Sequence, residues 1–197
     1  MAYNTNSDPY VDSATGVLKN KLGIKDAAEL SEAEANLTAV AIAALGEHPI
    51  TGDFDLLHLK HIHKGLFSDL YTWAGKLRTV EMAKGKTRFA SVEFLNQSAQ
   101  KLFSELHNEK LLSGLSDKAY ADRLAHYYSE VNILHPFRDG NGRTQRAFFT
   151  LLAAKSNRHI AWDHMDPHEN LAASIEAYNG NESRLAKLLA TLLMPMS

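Results

Sequence analysis

The chain has 197 residues, a length typical of one domain, and we predict a single domain over residues 1–197. Hydrophobic residues make up 45% of the chain, which allows a sizeable core and excludes a largely disordered protein. With 21 Lys and Arg against 23 Asp and Glu, a broad basic surface for direct nucleic-acid binding is excluded. The lack of cysteine excludes disulfides, zinc–thiolate sites and a cysteine nucleophile.

The sequence also lacks the features of targeting and membrane segments. Residues 1–11 are polar, without the basic and apolar regions of a signal peptide. The most apolar stretch, Ala147–Ala154, is far shorter than the roughly 20 residues that span a bilayer. We therefore predict a cytoplasmic protein with no membrane association.

Apolar residues recur at helical spacing along most of the chain, which predicts an all-α bundle. Asp53 and Ser116 are placed to cap two of the helices. In chain order, the predicted helices are Asp26–Gly46, a helix after Asp53 with apolar residues as far as Leu70, a helix opening at Ser91 or Glu93, Asp117–Leu134, a central helix through Ala147–Ala154, and two around Pro167–Tyr178 and Glu182–Leu193.

Residues 77–90 break the helical rhythm. Apolar residues alternate here on both sides of Lys84-Gly85-Lys86, which predicts a short β-hairpin turning at Gly85. Because two strands are marginal alone, we expect a flap that lies on the helices. The same residues resemble the end of a phosphate-binding P-loop, but Val80 stands where that motif needs glycine, so we favour the hairpin.

His58, His61 and His63 cluster within one predicted helix, and the first two are spaced to share a metal ion. No acidic residue stands at a supporting helical spacing within the cluster. We therefore favour a surface or capping role for these histidines over a metal site.

The most informative segment is residues 135–146, which read HPFRDGNGRTQR. Pro136 disfavours helix at the preceding residue, so one helix should end by Leu134. Glycines follow, and the next helix should start near Asn141–Arg143. Free N–H groups at that helix start would form an anion site. Arg143 and Arg146 are three residues apart, so we expect both to project from one face of the first turn.

The same loop carries groups suited to phosphoryl or nucleotidyl transfer. Asp139 offers one hard oxygen ligand, which is enough for a Mg²⁺ ion that bridges substrate phosphates. A neutral His135 could accept a proton from an attacking hydroxyl. Residues 140–145 also come close to a dinucleotide-binding fingerprint, but Gln145 replaces its third glycine and a helix precedes it. The remaining alternative is a tight turn with surface arginines.

The segment matches His-x-Phe-x-(Asp/Glu)-Gly-Asn-Gly-Arg-x-x-Arg at every fixed position, and the chain thereby resembles the Fic family. The likeness covers nearly the whole chain. Residues 62–67 and 70–78 resemble the family's segment before the flap, and residues 8–10 and 18–24 resemble the start of short Fic toxins. Residues 173–178 resemble the nucleotide-pocket helix of those toxins.

The resemblance implies a Fic-domain helical bundle that transfers AMP from Mg²⁺-bound ATP to a hydroxyl side chain of a target protein. It implies that His135 is the general base, that Phe137 anchors the loop and that Asp139 binds Mg²⁺. The implied ATP-binding residues are Gly140, Asn141, Gly142, Arg143, Arg146 and Tyr178, with Arg146 at the terminal phosphate. The flap residues implied to dock the target by strand addition are Val80, Met82, Lys86 and Phe89.

Many Fic proteins also carry an inhibitory helix, (Ser/Thr)-x-x-x-Glu-(Gly/Asn), whose Glu pairs with the second arginine of the motif. No Ser or Thr of this chain is followed four residues later by Glu. The resemblance to Fic toxins therefore implies a small helical antitoxin that supplies this helix. It also implies DNA gyrase and topoisomerase IV as targets.

Two other functions fit the same resemblance. Relatives of this fold transfer phosphate or phosphocholine, and a catalytically silent nucleotide-binding or partner-binding module is also conceivable. The phosphate-transferring branch departs from the Gly-Asn-Gly core, which is intact at residues 140–142. His135 and Asp139 are both present, so we favour AMP transfer.

Overall fold

The computed structural model describes residues 8–85 and 87–195, and Lys86 of the predicted flap lies outside them. These residues form a helical bundle with two small antiparallel strand pairs. The helices are α1 (Ala27–Glu47), α2 (Leu56–Phe67), α3 (Val92–Asn108), α4 (Asp117–Leu134), α5 (Asn141–Lys155), α6 (Pro167–Tyr178) and α7 (Ser183–Leu192). The strands are β1 (Ala83–Lys84), β2 (Thr87–Arg88), β3 (Arg158–Ile160) and β4 (Leu193–Pro195).

Helix α4 is the centre of the bundle and packs against α3, α5, α6 and α7. Its buried side chains include large apolar and aromatic ones such as Tyr120, Leu124 and Val131. The apolar stretch of α5, which the sequence predicts to be central, is buried at Phe148, Phe149 and Leu152, whereas Ala154 at its end is exposed. The motif of residues 135–146 joins these two helices and therefore starts from a rigid support.

Helix starts follow local capping chemistry. Asp26 accepts hydrogen bonds from the first N–H groups of α1, and Ser116 accepts one at the start of α4, as predicted. The cap of α2 is Asp55, whose side chain accepts from the N–H of His58 at 2.7 Å. The prediction of Asp53 for this cap was wrong by two residues, because α2 begins at Leu56 and Asp55 is the residue at its N-cap position.

The predicted hairpin is present but shorter than residues 77–90. Ala83 pairs with Arg88 and Lys84 with Thr87 around Gly85, whose positive φ of 60° suits a tight turn. The second strand pair, β3 with β4, was not predicted. Its strands have three residues each, which is too short for a recognisable alternation.

The N-terminal segment is tied to the loop between α4 and α5. Asp8 and Arg138 form an ion pair at 2.7 Å, and each side chain is 6% exposed. Tyr10 stacks edge-on against Trp73, and its hydroxyl accepts from the N–H of Thr79 at 3.1 Å. These contacts hold residues 8–10 against the same side of the bundle as the motif.

Within residues 8–85 and 87–195, no helix combines the length and the apolar content needed to cross a membrane.

Candidate active site

The motif loop is set by two left-handed residues. α4 ends at Leu134, as Pro136 predicted, and His135 takes φ 44° and ψ 59°. α5 begins at Asn141 directly after Gly140, which has φ 76°. His135 is not glycine and precedes proline, so this conformation is strained and must be held by its surroundings.

The side chain of Asn141 braces the loop from inside. Its Oδ1 accepts from the N–H of Phe137 at 2.9 Å, and its Nδ2 donates to the carbonyl of Phe137 at 2.7 Å. Phe137 is buried in the core. The side chain of Asn141 is thus committed to the loop itself, and its backbone N–H at the start of α5 is the group left for an anion.

His135 has the geometry and charge state of a general base. Its ring stacks on Phe89, with centroids 3.8 Å apart and planes 13° apart. Nδ1 lies 3.3 Å from the carbonyl of Asn132; since a carbonyl only accepts, Nδ1 carries the proton and Nε2 keeps its lone pair. Burial, with a smaller effect of the positive charges of Arg78 and Lys84, lowers the pKa of His135 to about 4. The imidazole is therefore neutral at pH 7.

Asp139 lies at the other end of the loop, with 37% of its side chain exposed. Its Oδ1 accepts from the N–H of Gly140 at 2.5 Å. Burial raises the pKa of Asp139, and the nearby negative charge of Glu34 raises it further. A cation beside this carboxylate would stabilise its charged form and offset both causes of the raised pKa. One hard oxygen with room for water ligands fits Mg²⁺.

Gly140 and Gly142 of the loop differ in whether the fold leaves room for a side chain. A Cβ on Gly140 would lie 2.3 Å from the ring of Phe67, and its φ is positive, so the fold itself demands glycine. A Cβ on Gly142 would meet Nη1 of Arg146 at 3.5 Å, an ordinary van der Waals contact. None of the described atoms forbids a side chain at 142, which leaves open space beside the N-terminus of α5.

Arg143 is engaged by helix α1. Its Nη2 is ion-paired with Glu34, and its Nη1 donates to Thr38 at 3.2 Å. The guanidinium lies 4.9 Å from the centre of the Phe67 ring, and Tyr71 donates a hydrogen bond to the other oxygen of Glu34. No motif marks Glu34, which is 109 residues from Arg143 in sequence.

Arg146 lies in the second turn of α5, and its guanidinium is near Gly142 and Tyr128. The prediction placed both arginines on the first turn of the helix. Arg143 lies there, with its Nη2 also 3.9 Å from Oδ1 of Asp139, whereas Arg146 lies in the turn that follows and faces Gly142.

The flap residues lie over His135. Met82 and Phe89 are 4% and 9% exposed, and the N–H of Phe89 donates to the carbonyl of Met82 at 3.2 Å. Val80 is half-buried. The hydroxyl of Tyr178 accepts from the N–H of Arg88 at 3.3 Å, so this residue of α6 joins the flap to the bundle.

His63 supports the motif loop, a role that differs from the one predicted from the sequence. The surface role holds for His61, which is exposed, but not for His58, which is buried and accepts from the N–H of Phe54 in the loop before the helix at 3.2 Å. It was also wrong for His63, which is fully buried and stacked on Phe137. Nε2 of His63 donates to the carbonyl of Asp139 at 3.0 Å, so this histidine supports the loop from α2.

Known proteins resemble this chain in sequence. The sequence model described as the Fic/DOC family matches residues 53–153. Protein adenylyltransferase VbhT of Bartonella schoenbuchensis is 42% identical over 187 residues, which cover 95% of this chain and 39% of VbhT. The protein named "Probable protein adenylyltransferase Fic" of Salmonella typhimurium is 39% identical over 155 residues, which cover 79% of this chain and 76% of that protein.

Solved structures agree with these relatives. BepC of Bartonella tribocorum with bound AMPPNP superposes with a TM-score of 0.89 at 26% identity, over 96% of this chain and 98% of that chain. The N-terminal Fic domain of a Bep effector protein of Bartonella quintana with bound ADP has a TM-score of 0.90 at 30% identity, over 96% of both chains. With its motif, fold and relatives in agreement, this chain belongs to the Fic/DOC family.

Proposed function

We propose that this chain is a protein adenylyltransferase, which transfers AMP from ATP to a hydroxyl side chain of a target protein. One observation carries the proposal. A neutral His135 with an available Nε2 lies at one end of a loop whose other end is the open N-terminus of α5. A proton acceptor beside an anion site is the minimum that hydroxyl attack on a phosphate requires.

The bond changes follow from this arrangement. The target's hydroxyl oxygen attacks the α-phosphorus of ATP while Nε2 of His135 takes the hydroxyl proton. The bond from the α-phosphorus to its bridging oxygen breaks, and pyrophosphate leaves. N–H groups at the start of α5, beside Gly142, would bind phosphate oxygens, and Arg146 would stabilise the terminal phosphate.

The charge around Asp139 supports a role for Mg²⁺. Partial burial and the negative charge of Glu34 both raise the pKa of Asp139, and 37% of its side chain is exposed. Asp139 would hold the ion, and the ion would neutralise charge on the phosphates. Arg143 would act mainly by fixing the start of α5 to α1, since Glu34 and Thr38 already occupy its guanidinium.

We propose that the flap presents main-chain groups to the target. Met82 and Phe89 point into the protein, whereas Ala83, Lys84 and Arg88 are exposed. A target segment could therefore add to this strand edge and bring its hydroxyl to His135.

Labelled ATP tests the reaction. ATP labelled on the α-phosphate should label a target protein, and ATP labelled on the γ-phosphate should not. Label from the γ-phosphate alone would show phosphate transfer, and no label from either would favour phosphocholine transfer or a silent binding module. The His135→Ala variant is the matched control, since it should bind ATP and label the target at least about 10²-fold more slowly.

The proposed targets are DNA gyrase and topoisomerase IV, from the likeness of residues 8–10 and 18–24 to short Fic toxins. Incubation with Mg²⁺, ATP and either topoisomerase should abolish supercoiling or decatenation. Full topoisomerase activity after incubation with a chain that labels other proteins would reject these targets while leaving AMP transfer intact.

We further propose control by a small helical antitoxin. A carboxylate delivered to Arg146 would form a charge-assisted pair and block the terminal phosphate. Helix α1 lies beside the site and exposes Leu37, Val40 and Ile42, by 36%, 70% and 43%, which suits packing of an amphipathic helix. The isolated chain should therefore be toxic when expressed alone. Growth unaffected by the active chain would contradict this proposal.

A further inference from the structure

Arg78 is a buried charged residue outside the groups that take part in the proposed chemistry. It lies between α2 and the flap, and the whole residue is 1% exposed. Among the described residues, the one carboxylate within 4.0 Å of its guanidinium is Glu81, whose side chain is 64% exposed. Burying a guanidinium without a buried carboxylate is costly, so the hydrogen bonds of Arg78 must offset that cost.

Those hydrogen bonds all go to main-chain carbonyls of the site. Nε donates to the carbonyl of His135 at 2.8 Å, and Nη1 donates to the carbonyl of Val80 at 2.8 Å. Nη2 donates to the carbonyl of Ala90, with a longer contact of 3.3 Å to that of Leu134. One guanidinium therefore binds the base, the end of α4 and both arms of the flap.

The contact with His135 coincides with backbone strain. His135 has a φ of 44° although it precedes Pro136, and a strained conformation persists only where neighbouring groups fix it. The N–H of Arg78 also donates to the carbonyl of Pro136 at 2.9 Å. Arg78 thus donates hydrogen bonds to two consecutive carbonyls, those of His135 and Pro136, directly after the end of α4.

We propose that Arg78 is a positioning residue that couples the flap to the general base. Because the same side chain fixes both flap arms and the main chain of His135, a target strand bound to the flap would meet Nε2 in one geometry. The proposal rests on the proposed function of His135 and the flap. A displacement of about 1 Å between reacting groups can cost about 10²-fold in rate.

A purely structural role of Arg78 predicts different experimental results. Arginine near a helix C-terminus can stabilise the last carbonyls and the helix dipole, and such a role of Arg78 would affect stability alone. The coupling role would affect transfer and the state of the His135 ring in a chain that is still folded.

Two substitutions and one control separate these roles. Arg78→Lys keeps the charge but cannot reach four carbonyls, and Arg78→Met removes the charge. The control is Arg158→Lys, since Arg158 also donates to a loop carbonyl, that of Leu115 at 2.8 Å, on another part of the bundle. The measurements are circular dichroism, ATP affinity by calorimetry, transfer rate, and the NMR signals and titration of the His135 ring.

We expect folded Arg78→Lys to bind ATP within about twofold of the unmodified chain and to lose about 10²-fold in transfer. Its His135 ring signals should lose the shift caused by stacking on Phe89. Arg78→Met should also raise the pKa of His135, because a positive charge that disfavours imidazolium is gone. Arg158→Lys should change none of these.

Several results would overturn the proposal. These are unchanged transfer in folded Arg78→Lys, equal losses of ATP affinity and transfer, or an unfolded lysine variant beside a folded control. If the unmodified chain transfers no AMP, the proposed function fails. The NMR signals of His135 still test the coupling in that case, because they need neither ATP nor a target.

Discussion

A histidine lies at each end of the motif loop, His135 half-buried and His63 fully buried, and the two share most of their physical surroundings. The ring of His135 stacks on Phe89 and that of His63 on Phe137, in both cases with centroids 3.8 Å apart. Burial lowers the pKa of each imidazole to about 4. Burial, stacking and a lowered pKa therefore do not distinguish a base from a structural residue here.

Hydrogen bonding distinguishes them. Nδ1 of His63 accepts from the N–H of Gly75 at 2.8 Å, and Nε2 donates to the carbonyl of Asp139 at 3.0 Å. His135 uses Nδ1 for the carbonyl of Asn132, and no described residue meets its Nε2. An imidazole with both nitrogens bonded holds the loop in place, and one with a spare lone pair can accept a proton.

Removal of the His135 ring should have the largest effect on AMP transfer. His135→Ala should lower AMP transfer by about 10²–10⁴-fold, because the proton acceptor is lost, and should leave ATP affinity unchanged. Transfer assays and calorimetry measure the two effects. Transfer at an undiminished rate would show that another group takes the proton.

A pair of glycine variants tests the anion end of the loop. Gly142→Ala should fold at least as stably as the unmodified chain, since the position is helical and open, yet should lose about tenfold in ATP affinity, or roughly 1.4 kcal/mol. Gly140→Ala should lose stability, because its Cβ would overlap Phe67. Calorimetry and urea unfolding measure both variants. Unchanged ATP affinity in Gly142→Ala would mean that phosphates bind elsewhere.

The His63 variants should give the opposite pattern to His135→Ala. His63→Phe keeps the stacking but leaves the N–H of Gly75 and the carbonyl of Asp139 without partners, at a cost of roughly 1–3 kcal/mol per buried group. Urea unfolding should show this loss, with a smaller loss in His63→Gln, which can still donate. A stable His63→Phe variant that has lost all transfer would place His63 among the reacting groups.

The smallest expected change concerns pH. An unperturbed imidazole would lose activity as pH falls through 6.5, whereas the lowered pKa of His135 moves that loss to about 4. The base works when deprotonated, so kcat/KM should stay nearly flat from pH 7 to about pH 5 and fall below that. A fall centred near 6.5 would indicate a solvated His135.

Features that depend on neighbouring residues could be predicted from the sequence. The bounds Asp117–Leu134 and Pro167–Tyr178 were both confirmed, because a capping side chain or a proline acts within a few residues. The motif loop was located for the same reason. The shortened flap and the strands β3 and β4 show the limit of this approach, since strands of two or three residues carry too little pattern.

The sequence by itself determined the local chemistry of the site, namely a histidine before a proline, a carboxylate, two glycines and a helix start within residues 135–146. Only the tertiary structure decided which residues complete it. Arg78, His63 and Glu34 reach the loop from 57, 76 and 109 residues away in sequence. Their roles depend on which helices pack together and on how deeply each side chain is buried. Contacts of this kind are physical properties of the folded chain, and no local pattern encodes them.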